Sequence, residues 1–143
     1  MNNNKSLTID EVFNLAIKNH REGKTDIAQN LYNKILEIDP NHSPTLNNIA
    51  IIFTNLKDFK KAKECYEKAI TINPNYADAY NNLGVTSKEL GEIEKAKECY
   101  EKAITINPNY ADAHYNIGII FKGLGEIEKA KECYEKAIEL NPN

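Results

Sequence analysis

Three residue types recur in this chain at an interval that chemistry can exploit. Asparagine stands at 14, 48, 82 and 116, cysteine at 65, 99 and 133, and tyrosine at 66, 100 and 134, each set stepping by 34 residues. An amide side chain carries both a donor and an acceptor, so a ladder of asparagines can pair with a peptide backbone whatever its sequence. Thiolates bind a metal when they cluster or join histidines. Here His20, His42 and His114 fall in different slots of the 34-residue interval. Three cysteines in one repeated slot read instead as small apolar filler in a reducing compartment, and no metal is expected. Tyrosines at a fixed slot resemble a stacking ladder for bases, but that slot reads more simply as core packing. Nothing in the chain assembles an enzyme. No paired carboxylates stand out from the regular Glu and Lys dressing, no Gly-rich loop follows a strand, and no nucleophile lies in a known motif. The expectation is a non-enzyme without a cofactor. Asn4-Lys5-Ser6 matches a glycosylation acceptor but is discounted for want of a secretion signal.

The elements that carry these residues repeat with the same period. Pro40, Pro74, Pro108 and Pro142 mark it; residues 61–79 recur letter for letter as 95–113, and 91–104 as 125–138. Of the 143 residues, 27% are charged and 41% hydrophobic, and the net charge is −3, which gives no general attraction to nucleic acid or anionic membrane. No apolar run is long enough to span a bilayer, and the first residues lack the hydrophobic segment of a secretory signal. A cytoplasmic protein is expected. Residues 1–8 read as a flexible tail ending at Thr8, which with Glu11 forms a capping box. Beyond it apolar residues fall at helical spacing (Val12, Leu15, Ala16; then Ile27, Ala28, Leu31, Tyr32 and Ile35) across a break at Gly23. Ser43 is expected as the next N-cap, with Pro44 at the first helical position. Each unit thus holds two helices, with Gly or Ala at its eighth position, Ala at its twentieth and Tyr at its twenty-fourth. Small residues there let the backbones approach while the ring fills the space beside them. Glu64–Lys68, Glu98–Lys102 and Glu132–Lys136 read as solvated helix faces.

This register of a bulky residue, Leu-Gly, an aromatic, then Ala, aromatic, Ala and Pro resembles the tetratricopeptide repeat family over about residues 9–143. The resemblance implies an all-α, right-handed superhelix of eight antiparallel helices. Its repeats are 9–42, 43–76, 77–110 and 111–143, with first helices on the concave side and second helices on the convex side. Asn19 and Ser87 depart from the pattern where an aromatic is usual, Lys57 replaces the turn glycine, and Ile35 replaces an alanine, so the first unit is expected to pack less regularly.

In this family the second, fifth, sixth, ninth, twelfth and thirteenth positions of each first helix face the groove. The sixth is Asn14, Asn48, Asn82 and Asn116; Asn47 and Asn81 at the fifth add further amides. Asp10, Asp78 and Asp112 at the second make one rim acidic, and Lys88 and Lys122 stand at the twelfth. The ladder resembles that of the O-linked N-acetylglucosamine transferase repeats, which hold extended protein substrates. Asn is also common at the sixth position throughout the family, so family habit is the competing reading. A chaperone-type carboxylate clamp is not expected. Its slots hold Phe13 and Ile17 with Asp78 and Asn82, or Asn47 and Ile51 with Asp112 and Asn116, and no basic residue.

The resemblance therefore points to a protein–protein interaction scaffold that takes an extended peptide or partner segment. The alternatives are a substrate-recruiting N-terminal module of a larger glycosyltransferase or sulfotransferase, or a self-assembling structural unit. No capping helix follows the last repeat, and Ile127, Ala130, Cys133, Ile138 and part of Tyr134 are expected to be exposed there. That open end reads as a junction with more chain or as a surface for end-to-end self-association.

Overall fold

A computed structural model describes residues 6–143; Asn4 and Lys5 of the Asn4-Lys5-Ser6 motif and most of the tail lie outside the described residues. Eight α-helices follow in order: α1 (Ile9–Arg21), α2 (Thr25–Ile38), α3 (Ser43–Asn55), α4 (Phe59–Ile72), α5 (Ala77–Glu89), α6 (Ile93–Ile106), α7 (Ala111–Gly123) and α8 (Ile127–Leu140). Together they form an all-α superhelix of helix pairs. None is long and apolar enough to cross a membrane.

Local chemistry sets the boundaries. The Thr8 backbone N–H donates to Glu11 Oε2 at 2.8 Å and the Glu11 N–H to Thr8 Oγ1 at 3.2 Å, closing the capping box. The second pair starts one residue earlier than Ser43 and Pro44 suggest. His42 is the N-cap, because its Nδ1 accepts from the Thr45 N–H at 3.3 Å. Asp39, Asn73 and Asn107 end the second helices, and each turns its side-chain oxygen to the N–H two residues on. Within the pairs, Gly23, Gly91 and Gly125 take φ of 75° to 79°, and Lys57 takes 61° in the same turn, where a side chain costs about 1 kcal/mol.

Packing follows the repeat. The third, seventh and tenth positions of α3, α5 and α7 bury against the preceding pair. Ile49 and Ile52 meet Ala16, Ala28, Tyr32 and Ile35; Leu83 meets Ala50, Ala62 and Tyr66; Ile117 and Ile120 meet Ala96 and Tyr100. The first pair docks less extensively on the second than the later pairs do on one another, in line with its irregular sequence. Ile35 nevertheless sits fully buried in the alanine slot. On the last pair, Ala130, expected in an exposed stripe, is instead buried, and Cys133 is half-buried. Ile127 and Ile138 are exposed as expected, at 58% and 63%, Tyr134 is half-buried, and Tyr115, 53% exposed, adds to the free surface.

The eleventh position shows what a small residue does there. Phe53 and Phe121 lie under lysine ammonium groups 5.4–5.6 Å from the ring centroids. Ser87 is fully buried, and its hydroxyl finds no hydrogen-bond partner. An unpartnered buried hydroxyl carries a desolvation cost. Ser87→Ala should therefore raise stability by about 1 kcal/mol in urea denaturation. A loss of stability would mean that the hydroxyl is satisfied in solution.

Candidate functional site: the concave amide ladder

α3 meets α5 and α5 meets α7 directly, so the first helices line the tighter, concave side of the superhelix. Their side chains form bands along it. Ile17, Ile51, Val85 and Ile119 at the ninth position make a half-buried aliphatic stripe. One helical turn earlier lie the sixth-position asparagines. Asn48, Asn82 and Asn116 are half-buried, and Asn14 on the first helix is exposed. Asp10, Asp78 and Asp112 stand exposed on one rim; Lys122 is exposed and Lys88 half-buried on the other.

The amides are joined in a relay. Asn82 donates from Nδ2 to Asn47 Oδ1 at 3.4 Å, and Asn116 donates to Asn81 Oδ1 at 3.1 Å, so each bond crosses from one repeat to the one before. Asn47 in turn donates to Asn48 Oδ1 at 3.3 Å. In the first repeat the fifth position is Phe13, which offers no oxygen. Asn48 donates instead to the Tyr32 hydroxyl at 3.2 Å.

This geometry corrects the sequence reading of two residues. Asn47 and Asn81, placed on the groove surface by their position, are only 5% and 6% exposed. The following repeat stands over the fifth position and closes it. Tyr76 and Tyr110, the N-cap residues of α5 and α7, lie in the same seams. Burial, with help from the Asp78 carboxylate and opposed by the Asn47 amide, pushes the Tyr76 phenol up to about 12. Burial and then Asp78 raise Tyr110 further, against the Asn81 amide. The fifth-position amides thus hold the seam, while the sixth-position amides keep a share of surface. Periodicity alone gives both positions the same letter; only the next repeat's presence separates them.

The thiols are poor nucleophiles. Burial raises Cys65, Cys99 and Cys133, with Cys99 at about 11. Burial also lowers the His20 imidazole, whose ring lies edge-on to Tyr32 at 6.3 Å. What the concave face offers chemically is recognition: amides of fixed orientation, an aliphatic stripe and two rims of opposite charge.

Models of the tetratricopeptide repeat match residues 43–76, 65–98 and 111–143, and a TPR repeat model matches residues 87–125. The chain belongs to the tetratricopeptide repeat family. It is similar to the crystal structure of MamA, with 32% identity, a TM-score of 0.78, and coverage of 89% of this chain and 74% of that one. Pseudomonas aeruginosa PilF shares the fold at 23% identity, with a TM-score of 0.86 over 94% of this chain and 61% of that one. An uncharacterized protein, ycf37 of Pyropia yezoensis, is 46% identical over 41 residues, which is 29% of this chain and 23% of that protein's length.

Proposed function

We propose that the chain is a protein-interaction scaffold whose concave face holds an extended peptide or partner segment along Asn48, Asn82 and Asn116. The observation that carries this reading is the relay. Asn82 and Asn116 each spend one Nδ2 hydrogen on the repeat before, which fixes the amide plane. Neither Oδ1 takes a hydrogen bond from another described side chain, and both residues remain half-buried. An amide oriented before binding loses less entropy on meeting a backbone, so preorganisation favours affinity. The aliphatic stripe one turn away gives a bound segment an apolar strip, and the Asp and Lys rims set its direction. Asn14 is exposed and outside the relay, and contributes less.

The test starts from peptides selected on the folded chain from a displayed random library. Removing a sixth-position amide alone strands a buried oxygen, at about 1–3 kcal/mol. Both members of each relay pair are therefore replaced: Asn47→Ala with Asn82→Ala, and Asn81→Ala with Asn116→Ala. Peptide affinity should fall by about tenfold or more while circular dichroism stays unchanged. Undiminished affinity in a folded variant rejects the ladder as the binding element.

A further inference from the structure

A cleft opens at the Lys rim of the groove, where the last turns of α5 and α7 meet the start of α6. Lys88, Ile93, Ile119, Ile120, Gly123 and Leu124 line about 300 Å³. That volume lies at the bottom of the range for small-molecule sites, about 300–1,000 Å³, and suits a single side chain better than a cofactor. Its walls are aliphatic, and Lys88 is the one charged residue among them.

Four letters of the sequence set this seam apart. In the seam before it, between α3 and α5, the slots of Lys88, Ile93, Ile120 and Gly123 hold Thr54, Phe59, Thr86 and Glu89. There the two threonine hydroxyls meet at 3.5 Å. Lys88 and Ile120 have no such bond to make. A Cβ on Gly123 would meet nothing within 4 Å, so the mouth of the cleft stands open. The slot does not owe its exposure to the lack of a following repeat: Glu89 is exposed with α7 and α8 in place after it.

Lys88 gives the cleft its polarity. It is half-buried, yet no carboxylate of a described residue lies within 4 Å of its ammonium. Lys63, also half-buried, holds Glu92 at 2.8 Å, which occupies that acid; Glu89 makes no ion pair among the described residues. Asp78 and Asp112 stand ten residues before Lys88 and Lys122 on their helices, about 15 Å away along the axis. A partly desolvated ammonium without a partner is costly, and an arriving anion offsets that cost.

We infer that this cleft is a specificity subsite of the groove. It takes one aliphatic side chain of the bound segment, while Lys88 pairs with a carboxylate side chain within two residues of it. The ligand class is an extended protein segment carrying Leu, Ile, Val or Met beside Asp or Glu. The inference rests on the groove reading, because Ile119 belongs to the aliphatic stripe and the cleft lies about 5–10 Å along α7 from Asn116.

The test selects the displayed random library twice, on the native chain and on a Lys88→Glu chain. The native selection should enrich the aliphatic–acid pair; the second should keep the aliphatic residue and exchange the acid for Lys or Arg. A fluorescein-labelled copy of the leading native peptide, followed by anisotropy, should bind at least tenfold more weakly to the Lys88→Met and Gly123→Gln chains at unchanged circular dichroism. Replacing the peptide's acid by its amide should abolish the effect of Lys88→Met. The chain with Asn81→Ala and Asn116→Ala separates this inference from the reading beneath it. Peptides that need those amides but lack the pair, or that bind the Lys88→Met and Gly123→Gln chains as they bind the native one, overturn the subsite and leave the groove. Peptides that carry the pair and need Lys88 but ignore the amides support the subsite and reject the ladder. Selection of no peptide overturns both. Saturable binding of octanoate that Gly123→Gln abolishes, with no pair among the selected peptides, assigns the cleft to a small acid and overturns the subsite.

Discussion

Between about pH 10 and pH 12 the array is expected to unfold. Burial is the leading cause that raises Tyr32, Tyr66, Tyr76, Tyr100 and Tyr110 above the ordinary phenol range. Tyr66 and Tyr76 reach about 12, and Tyr100 and Tyr110 lie higher. A phenol with a raised folded pKa ionises first in the unfolded chain. The stability it contributes is complete below the unfolded value near 10 and is lost as pH rises through the folded value. For the fully buried Tyr66 ring, a shift of that size is worth about 3 kcal/mol. With Tyr100 buried to the same degree, the loss is comparable with the whole stability of a small domain, about 5–15 kcal/mol. Cys99, pushed up to about 11, adds to the effect from a lower pH. Ellipticity and phenolate absorbance should therefore change together in one alkaline transition. Full helicity above pH 12, with all phenols ionised, would mean that the rings are solvated.

Tyr100→Ala is expected to cost about 3–5 kcal/mol, as large core rings do when truncated. Its ring joins Ala96, Ile117 and Ile120 in the seam between the third and fourth repeats. It also fills the space that Gly84 leaves: a Cβ on Gly84 would stand 2.5 Å from the nearest ring atom. The two positions are therefore coupled. In the native chain, Gly84→Ala forces the ring aside and should destabilise by about 1–3 kcal/mol. In the Tyr100→Ala background the clash is gone, and the same change should stabilise through helix propensity by up to about 1 kcal/mol. Urea denaturation of the four chains checks the reversal of sign. An equal effect of Gly84→Ala in both backgrounds would remove the ring as its cause. Because repeats couple mainly to their neighbours, Tyr100→Ala should also release α7 and α8 before the remaining helices, visible as early loss of amide protection there.

Much of this fold is legible in the sequence. The prolines at 40, 74, 108 and 142 and the duplicated segments define the pairs, and the capping box at Thr8 and Glu11 sets the first boundary. What the letters left open depends on neighbours distant in sequence. Asn47 looks like Asn48 until α5 and Tyr76 close over it. Ala130 reads as part of an exposed stripe until α7 packs against it. His42 takes the cap from Ser43 because a ring nitrogen happens to reach the Thr45 N–H. Ser87 marks a missing aromatic in the sequence, yet only the packed interior strands its hydroxyl. The groove is the reverse case: the repeat register names its candidate residues, and the relay explains which of them keep surface to offer.

Side-chain amide resonances offer the sharpest view of that surface. In a ¹⁵N-labelled chain titrated with a library-selected peptide, the NH₂ signals of Asn82 and Asn116 should shift with saturation, followed by Asn48, while α2, α4 and α6 stay still. Shifts confined to the convex helices, with those three amides unmoved, would contradict peptide binding along the ladder.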